Sequence, residues 1–351
     1  MGFTEKQINQ AVIEVFDVNS LYPSRMYYED LPVGRGIYYD GQYQPDPEYF
    51  LYVQRFRAIY KIKPSKFPMI QKSCGRFTGL SVYSESSLGQ IEELTLTSVD
   101  LELFFETYDV SYIEYLDGYK YQSCSDLFKQ YIDYWMEIKK TSKGAKRQIA
   151  KLMLNSLYGK FGTNKTSMLK IPTYDPETDE IKYKDREETK KGVYIPMATF
   201  ITSYARAVTV RAANACGNNF LYADTDSIHI LIDRDLPNIE IHQSNLGCWK
   251  LENLACRGRY LRAKAYLEDM IKPDGSTEIE VKCCGLSDAA KEKVTWENFH
   301  TGLVIANVNL KSKKIKGGTI LKQTDFNIRK PAEPKNSKKK ISKRVDKVKY
   351  L

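Results

Sequence analysis

Apolar and polar positions switch between a period of two and a period near 3.6 along the chain, and the switches outline its elements. The run AVIEVF at 11–16 is β-branched and apolar, a strand that stops at Asp17, and the turn-prone NSLYP follows at once. Residues 29 to 124 mix short aromatic and β-branched runs with Gly, Pro and Asp, which predicts a strand-rich stretch with helix around Val99 to Tyr108. Ser125 and Asp126 offer caps for a helix through LFKQYIDYWMEIKK, and TSKG separates it from a second helix, roughly Ala145 to Tyr158. MLKIPTY and EIKYKDR flank DPETD and predict a hairpin within 163–195. MATFITSYARAVTVRAANAC carries small and apolar residues at helical spacing, and NFLYADTDSIHILI reads as two short strands joined at Asp-Thr-Asp. After Asp235 strands and helices mix to about residue 328, and no internal repeat is visible. The sum is an α+β pattern.

With 351 residues the chain can hold several packed units around a substantial core. No run approaches the roughly 18 apolar residues of a membrane helix, and the polar start lacks the layout of a secretory signal. A cytoplasmic monomer with no membrane partner is expected. Cysteines 74, 124, 216, 248, 256, 283 and 284 form no C-x-x-C pair and read as reduced thiols. With His229, His242 and His300 alone, and no H-E-x-x-H, a zinc hydrolase is excluded and any metal must sit on carboxylates. The net charge is +9, but from Arg329 to Leu351 ten Lys or Arg stand against Glu333 and Asp346, so +8 of it lies in that tail. The body is close to neutral, and a nucleic-acid channel there requires a local positive surface balanced by acidic patches elsewhere. The tail itself reads as disordered, with few apolar residues to pack.

The chemistry gathers in three segments. YADTDS, 222–227, puts two carboxylates at the tip of a hairpin whose strands are apolar; acids held together near a third gain from bound cations, and magnesium suits oxygen ligands. DVNSLYPS, 17–24, places another acid at the end of an apolar strand. If those strands share a sheet, Asp17 and Asp226 form a cup for two Mg²⁺ ions, with Mn²⁺ able to substitute, roughly 4 Å apart. Phosphoryl transfer needs mainly positioning and charge neutralisation, and no protein nucleophile is called for. The third segment, KLMLNSLYGKFG at 151–162, sets Lys151, Asn155 and Tyr158 on one helical stripe, extended by Arg147. Such a stripe is commonly just a solvated face; here it ends in a tyrosine beside Gly159, a flat surface for a base. Lys151 can reach a triphosphate, and Lys139 on the preceding helix supplies a second cation.

DVNSLYPS, KLMLNSLYG and YADTDS, in this order, resemble the three polymerase motifs of family B DNA polymerases. With FITSYAR (200–206) and Lys264-Ala265-Tyr266, the chain is similar to the protein-primed replicative polymerases of small tailed bacteriophages, from about Val15 to Lys330. The resemblance implies a palm, fingers and thumb with two insertions: palm at 1–28 and 196–294, a priming-protein platform at 29–126, fingers at 127–162, a strand-displacement hairpin at 163–195, a thumb at 295–328 and the tail at 329–351. It implies Asp17 and Asp226 as catalytic metal ligands, with the Val18 carbonyl completing the shell and Asp224 auxiliary. Tyr22 would lie under the incoming sugar and clash with a 2′-hydroxyl. Lys139, Lys151, Asn155 and Tyr158 would hold the nucleotide. Ser20, Gly159, Thr202, Arg206, Lys264 and Tyr266 would contact DNA, Lys264 and Tyr266 at the primer terminus. The implied partners are primer-template DNA, deoxynucleoside triphosphates and a priming terminal protein, in the cytoplasm of a bacterial host.

Two departures stand out. Family members carry an amino-terminal 3′–5′ exonuclease domain, and only sixteen residues precede Asp17; the remaining D-x-E, Asp100 to Glu102, lies in a helical stretch and reads as structural, so no proofreading is expected. The basic tail is the other, a loose phosphate tether or a solvated end. A truncated chain could also be a catalytically silent module that binds DNA or a priming protein, although such a remnant has no physical reason to keep both carboxylates. Ribonucleotide polymerisation shares the two-metal chemistry, and an aromatic gate at Tyr22 argues against it.

Overall fold

The structure, a computed structural model, describes residues 10–73, 81–164, 166–189, 193–232, 239–315 and 318–328. The basic tail at 329–351 lies outside them. Two compact units divide the chain, one holding Met1–Met69 and Glu85–Lys282, the other Ile70–Ser84 and Cys283–Leu351. Residues 70–84, expected inside the first insertion, thus group with the unit that contains the expected thumb. No described helix is long and apolar enough to cross a membrane, and no disulfide joins the described cysteines.

In chain order the first unit begins with β1 (Ile13–Val18), α1 (Leu21–Tyr28), β2 (Leu31–Asp40) and β3 (Leu51–Ile62). In the second unit, β4 (Gln71–Ser73) pairs with β5 (Ser81–Tyr83). The first unit resumes with β6 (Glu92–Thr97), α2 (Ser98–Thr107), β7 (Tyr108–Cys124), α3 (Lys129–Thr141) and α4 (Gly144–Phe161). The hairpin β8 (Thr166–Asp175) and β9 (Glu180–Thr189) follows, then the long helix α5 (Ile195–Cys216). Strands β10 (Phe220–Asp224), β11 (Ser227–Leu231), β12 (Trp249–Arg262), β13 (Ala265–Ile271) and β14 (Thr277–Cys283) come next. The second unit closes with a one-turn α6 (Asp288–Lys291) and the antiparallel hairpin β15 (Val304–Ile315) and β16 (Gly318–Asn327). Among the described residues beyond residue 239 the regular structure is strand apart from the one-turn α6, where a mixture of strands and helices was expected.

Two antiparallel sheets organise the first unit. The six-stranded one runs β10-β11-β1-β12-β13-β14, so the strand bearing Asp17 is central and lies beside the hairpin bearing Asp226. On it lies α5, whose Ala205, Ala212 and Cys216 are small enough to let the helix approach Phe16, Val18, Ile228 and Ile230 closely. These residues are buried because each strand turns its alternate apolar side chains to the helix. Removing one large side chain, as in Phe16→Ala, would cost about 3–5 kcal/mol. The other sheet, β2-β7-β3-β6, is covered by α2, whose Phe104 meets Phe56, Tyr60 and Tyr108 edge-on or tilted. Helices α3 and α4 form an antiparallel pair seated on α1 and α5 through Ile132, Met136, Leu154, Met26, Met197 and Ile201.

Local chemistry moves two boundaries. NSLYP predicts a turn, but only Asn19 and Ser20 make it; Ser20 takes a left-handed conformation, φ 56°, and α1 starts at Leu21. Pro23 is tolerated there because amides of a first turn have no intrahelical partner to lose. Ser125 and Asp126 do not cap α3: β7 runs on to Cys124, Asp126 has φ 67°, and its carboxylate pairs with Lys129. The helix starts from Phe128 without a side-chain cap.

Candidate active site

The two acids meet because one hydrogen bond closes the sheet between them. The amide of Val18 donates to the carbonyl of Asp226 at 2.8 Å, and Asp17 lies opposite Ser227 in register. Between Asp224 and Ser227 the chain reverses through Thr225 and Asp226. Thr225 has φ 59°, a conformation that costs a β-branched residue free energy and persists only where its surroundings hold it. They do: the Thr209 hydroxyl on α5 donates to the Thr225 carbonyl at 2.7 Å, and the Asp226 amide donates to the Asp224 carbonyl at 2.7 Å. On the other side the Asn19 amide donates to the Cys248 carbonyl and the Gly247 amide to the Asn19 carbonyl, both at 2.9 Å. Gly247 is required by this join, since its φ is +82° and a Cβ there would come within 3.0 Å of Ser24 and Arg25.

Electrostatically the pair is uncomfortable. Burial first, then Asp226 and Glu252, push the Asp17 carboxyl up to about 7, with Lys151 and Lys250 opposing. The Asp226 carboxyl is also raised, by burial and then by Asp224, against the pull of Lys264 and Lys151. Neither acid has a salt-bridge partner among the described residues. Asp224, the expected third acid, is engaged elsewhere: both its oxygens accept from the Lys264 ammonium, at 2.7 and 2.9 Å. Accordingly no three His, Cys, Asp or Glu side chains gather as a metal cluster among the described residues. The donor set still fits a hard divalent cation, because half-buried carboxylates whose proton affinity is raised by burial and by neighbouring acids are what such a cation relieves. The Val18 backbone follows Asp17 directly and is joined to that of Asp226 by its amide.

Opposite this acidic end stand cations that repel one another. Burial, and then Arg147 and Lys151, hold the Lys139 ammonium below its usual range, while Asp17 acts the other way. Lys139 donates to the Ser20 hydroxyl at 2.8 Å, tying α3 to the turn that follows Asp17. Lys151 and Asn155 are exposed on α4, and Tyr158 stacks face to face on Tyr22 of α1, with ring centroids 4.0 Å apart and planes within 16°. Burial, and next the Tyr158 hydroxyl, raise the Tyr22 phenol far above its ordinary range. Gly159 has open space where a side chain would stand, so packing does not explain the glycine.

The remaining expected contacts spread along the same unit. Lys264 sits at the tip of the β12–β13 turn with φ 56°, its amide donating to the Tyr222 hydroxyl at 2.8 Å, and Tyr266 follows on β13. Thr202 donates to the Thr199 carbonyl on α5, and Arg206 pairs with the buried Asp100 of α2. Sequence reasoning missed Thr209, Glu252 and Lys250. Glu252 is the extra residue of a β-bulge in the β1–β12 pairing, which brings Lys250 opposite Asp17, and no residue spacing announces that shift.

Comparison with known proteins agrees with this arrangement. The family described as DNA polymerase type B, organellar and viral, matches residues 2–238. The DNA polymerase of Bacillus phage phi29 is 41% identical over 344 residues, 93% of this chain and 59% of that protein; that of Streptococcus phage Cp-1 is 38% identical over 92% of the chain and 57% of its own length. The solved structure of phi29 DNA polymerase with primer-template DNA and incoming nucleotide superposes with a TM-score of 0.82 at 40% identity, over 91% of this chain and 58% of that one. With its central acid-bearing strand, flanking acid-tipped hairpin and paired helices, the fold is that of a family B polymerase palm and fingers. The chain belongs to the type B DNA polymerases, organellar and viral, and within them resembles the phi29-type phage enzymes. It spans about three fifths of the length of those curated relatives.

Proposed function

We propose that the chain carries the polymerising centre of a template-directed DNA polymerase, extending a primer 3′ end with deoxynucleoside triphosphates. The observation that carries the reading is the Asp17–Asp226 pair: one carboxylate on β1 and one on the turn of the neighbouring hairpin, both pushed up in proton affinity and within the electrostatic reach of Lys151, with Lys139 close to Asp17. Asp17, Asp226 and the Val18 carbonyl would hold two Mg²⁺ ions, for which Mn²⁺ would substitute. Bound there, such ions supply activation of the primer 3′-hydroxyl and neutralisation of the attacked phosphate. The chain's own residues then bind and orient. Lys151 and Lys139 neutralise a triphosphate, Asn155 and Tyr158 face the base, Gly159 contacts the DNA beside them, and the Tyr22 ring would collide with a ribose 2′-hydroxyl. An incoming nucleotide would replace part of the Tyr22–Tyr158 contact. Asp224 takes an auxiliary part, holding Lys264 toward the primer terminus with Tyr266. Ser20, Thr202 and Arg206 would contact the DNA strands.

The insertions fit the same reading. The β2-β7-β3-β6 sheet exposes Ile37, Tyr38 and Tyr119, a surface suited to a priming protein, and the protruding β8–β9 hairpin suits strand displacement. The D-x-E of α2 does not suit a nuclease, because Asp100 is bonded to Thr97, Ser203 and Arg206 while Glu102 pairs with Arg211. Primer extension with Mg²⁺ and four deoxynucleotides on a primed template tests the proposal. Extension to the template end is the expected result. Tight DNA binding with no extension would instead mark a silent binding module.

A further inference from the structure

Behind the two catalytic hairpin tips lies a polar group of side chains that the reaction as described does not use. His229 and Glu268 are each 1% exposed, so each must find its hydrogen bonds inside the protein. They find them in one another and in Tyr260: His229 Nδ1 lies 2.7 Å from Glu268 Oε1, to which the Tyr260 hydroxyl also donates. The phenol is raised well beyond its ordinary range by burial and then by Glu268, so it stays a donor.

Where these three come from is the informative part. His229 is on β11, three residues past Asp226; Glu268 is on β13, four residues past Lys264; Tyr260 is on β12. In the sheet order β11 and β13 are separated by β1 and β12, so the bonds span the concave side of a curved sheet. Gly258, in register with Glu268, makes room for this, since a Cβ there would lie 2.7 Å from Ile13 and 3.1 Å from the Tyr260 ring. Aromatic faces fill the rest: Tyr222 stacks on Tyr260 at 5.3 Å, and Tyr266 meets His229 edge-on at 5.0 Å. At the rim the same two hairpins touch again, through Lys264 with Asp224 and through the Lys264 amide with the Tyr222 hydroxyl.

We propose that Glu268, His229 and Tyr260 are positioning residues that fix the Lys264–Tyr266 hairpin, and with it the primer 3′ end, in register with the hairpin carrying Asp226. The claim rests on the polymerase reading above. It follows from lever geometry: Lys264 sits at a two-residue turn in a left-handed conformation, and its direction is set by where β13 is anchored. Glu268 is the buried polar anchor of β13 below the rim contacts of that turn, on the same face of the strand as Tyr266. An aliphatic replacement removes the acceptor that the two share and leaves buried His229 and Tyr260 only their own longer contact, the Tyr260 hydroxyl 3.4 Å from His229 Nδ1, so that β13 is no longer tied to β11.

The test places 2-aminopurine at the primer 3′ terminus of a primer-template and follows its fluorescence on binding, together with single-turnover extension and nucleotide KM. In Glu268→Leu the extension rate at saturating nucleotide should fall by roughly tenfold or more, and in Tyr260→Phe by about threefold, with nucleotide KM within about twofold. Terminal 2-aminopurine should brighten in both, because the end frays, while overall DNA affinity stays level. Glu268→Gln keeps an acceptor for both donors and should behave as the wild type. Unchanged fluorescence and rate in both damaging variants, or a Gln variant as poor as Leu, would overturn the proposal. If Glu268→Leu does not fold, Tyr260→Phe carries the test alone, since it removes one hydroxyl and keeps the ring. A wild type that binds DNA without extending it would count against the polymerase reading, and the fraying signal would still decide this one.

Discussion

The same unit holds two pairs of acids, and they have opposite fates. Asp100 and Glu102 on α2 form a D-x-E; Asp224 and Asp226 at the β10–β11 tip form a D-x-D, with Asp17 beside it. Asp100 is buried and surrounded by donors, accepting from the Thr97 and Ser203 hydroxyls and the Arg206 guanidinium, while Arg211 neutralises Glu102 and Glu106. Asp17 and Asp226 are only half buried and ion-paired with no described residue, and their proton affinities rise through burial first and neighbouring acids next. Spacing along the chain does not separate a structural ion-pair network from a cation site. The partners do: a network brings its own positive charge, and a cation site leaves that charge to be bound.

The largest effect that would break this contrast is on turnover. Asp226→Asn should lower extension by at least about a thousandfold, the scale expected when a group acting on the reacting centre is lost, while DNA affinity stays within severalfold by fluorescence anisotropy. Asp100→Ala should do the reverse in kind: extension persists, and the denaturation midpoint falls by the equivalent of about 2–3 kcal/mol, as donors and a guanidinium lose their acceptor. Similar losses of turnover in the two variants would mean that the distinction is false.

A subtler effect lies in pH. The Asp17 carboxyl, pushed up to about 7, holds a proton in the folded metal-free protein that an unfolded chain would already have released. Its contribution to stability is therefore fully present below the ordinary aspartate range, near pH 4, and is lost as the pH rises through about 7. Cation binding must displace that proton, so Mg²⁺ should raise the melting temperature more at pH 8 than at pH 5.5, and Asp17→Asn should flatten the difference. A Mg²⁺ response independent of pH would place the ion elsewhere. The smallest effect belongs to the exposed end of the structural network: Arg211→Ala should cost no more than about 1 kcal/mol, because its pairs with Glu102 and Glu106 face solvent.

Local elements were more legible in the sequence than the topology. Apolar runs on both sides of Asp-Thr-Asp predicted a hairpin, and β10 and β11 form it; the helical stripe of Lys151, Asn155 and Tyr158 falls on α4. Strand neighbours were not readable, because β1 pairs with segments more than two hundred residues away and nothing local encodes that choice. The same holds for the grouping of residues 70–84 with the second unit. His229 and Glu268 gave no motif; the one available signal was that His229 lies between two isoleucines, which promised burial and so required a partner. The pairing of Asp224, expected in an auxiliary role, with Lys264 forty residues on was not readable from the spacing of either.

The central claim is that cations bind at Asp17 and Asp226 and nowhere near α2. A titration of Mn²⁺ followed by electron paramagnetic resonance at pH 7.5, on the wild type, Asp17→Asn and Asp100→Asn, reads this directly. Binding by the wild type and Asp100→Asn, with at least about tenfold weaker binding by Asp17→Asn, is the predicted result. Undiminished binding by Asp17→Asn would contradict the account.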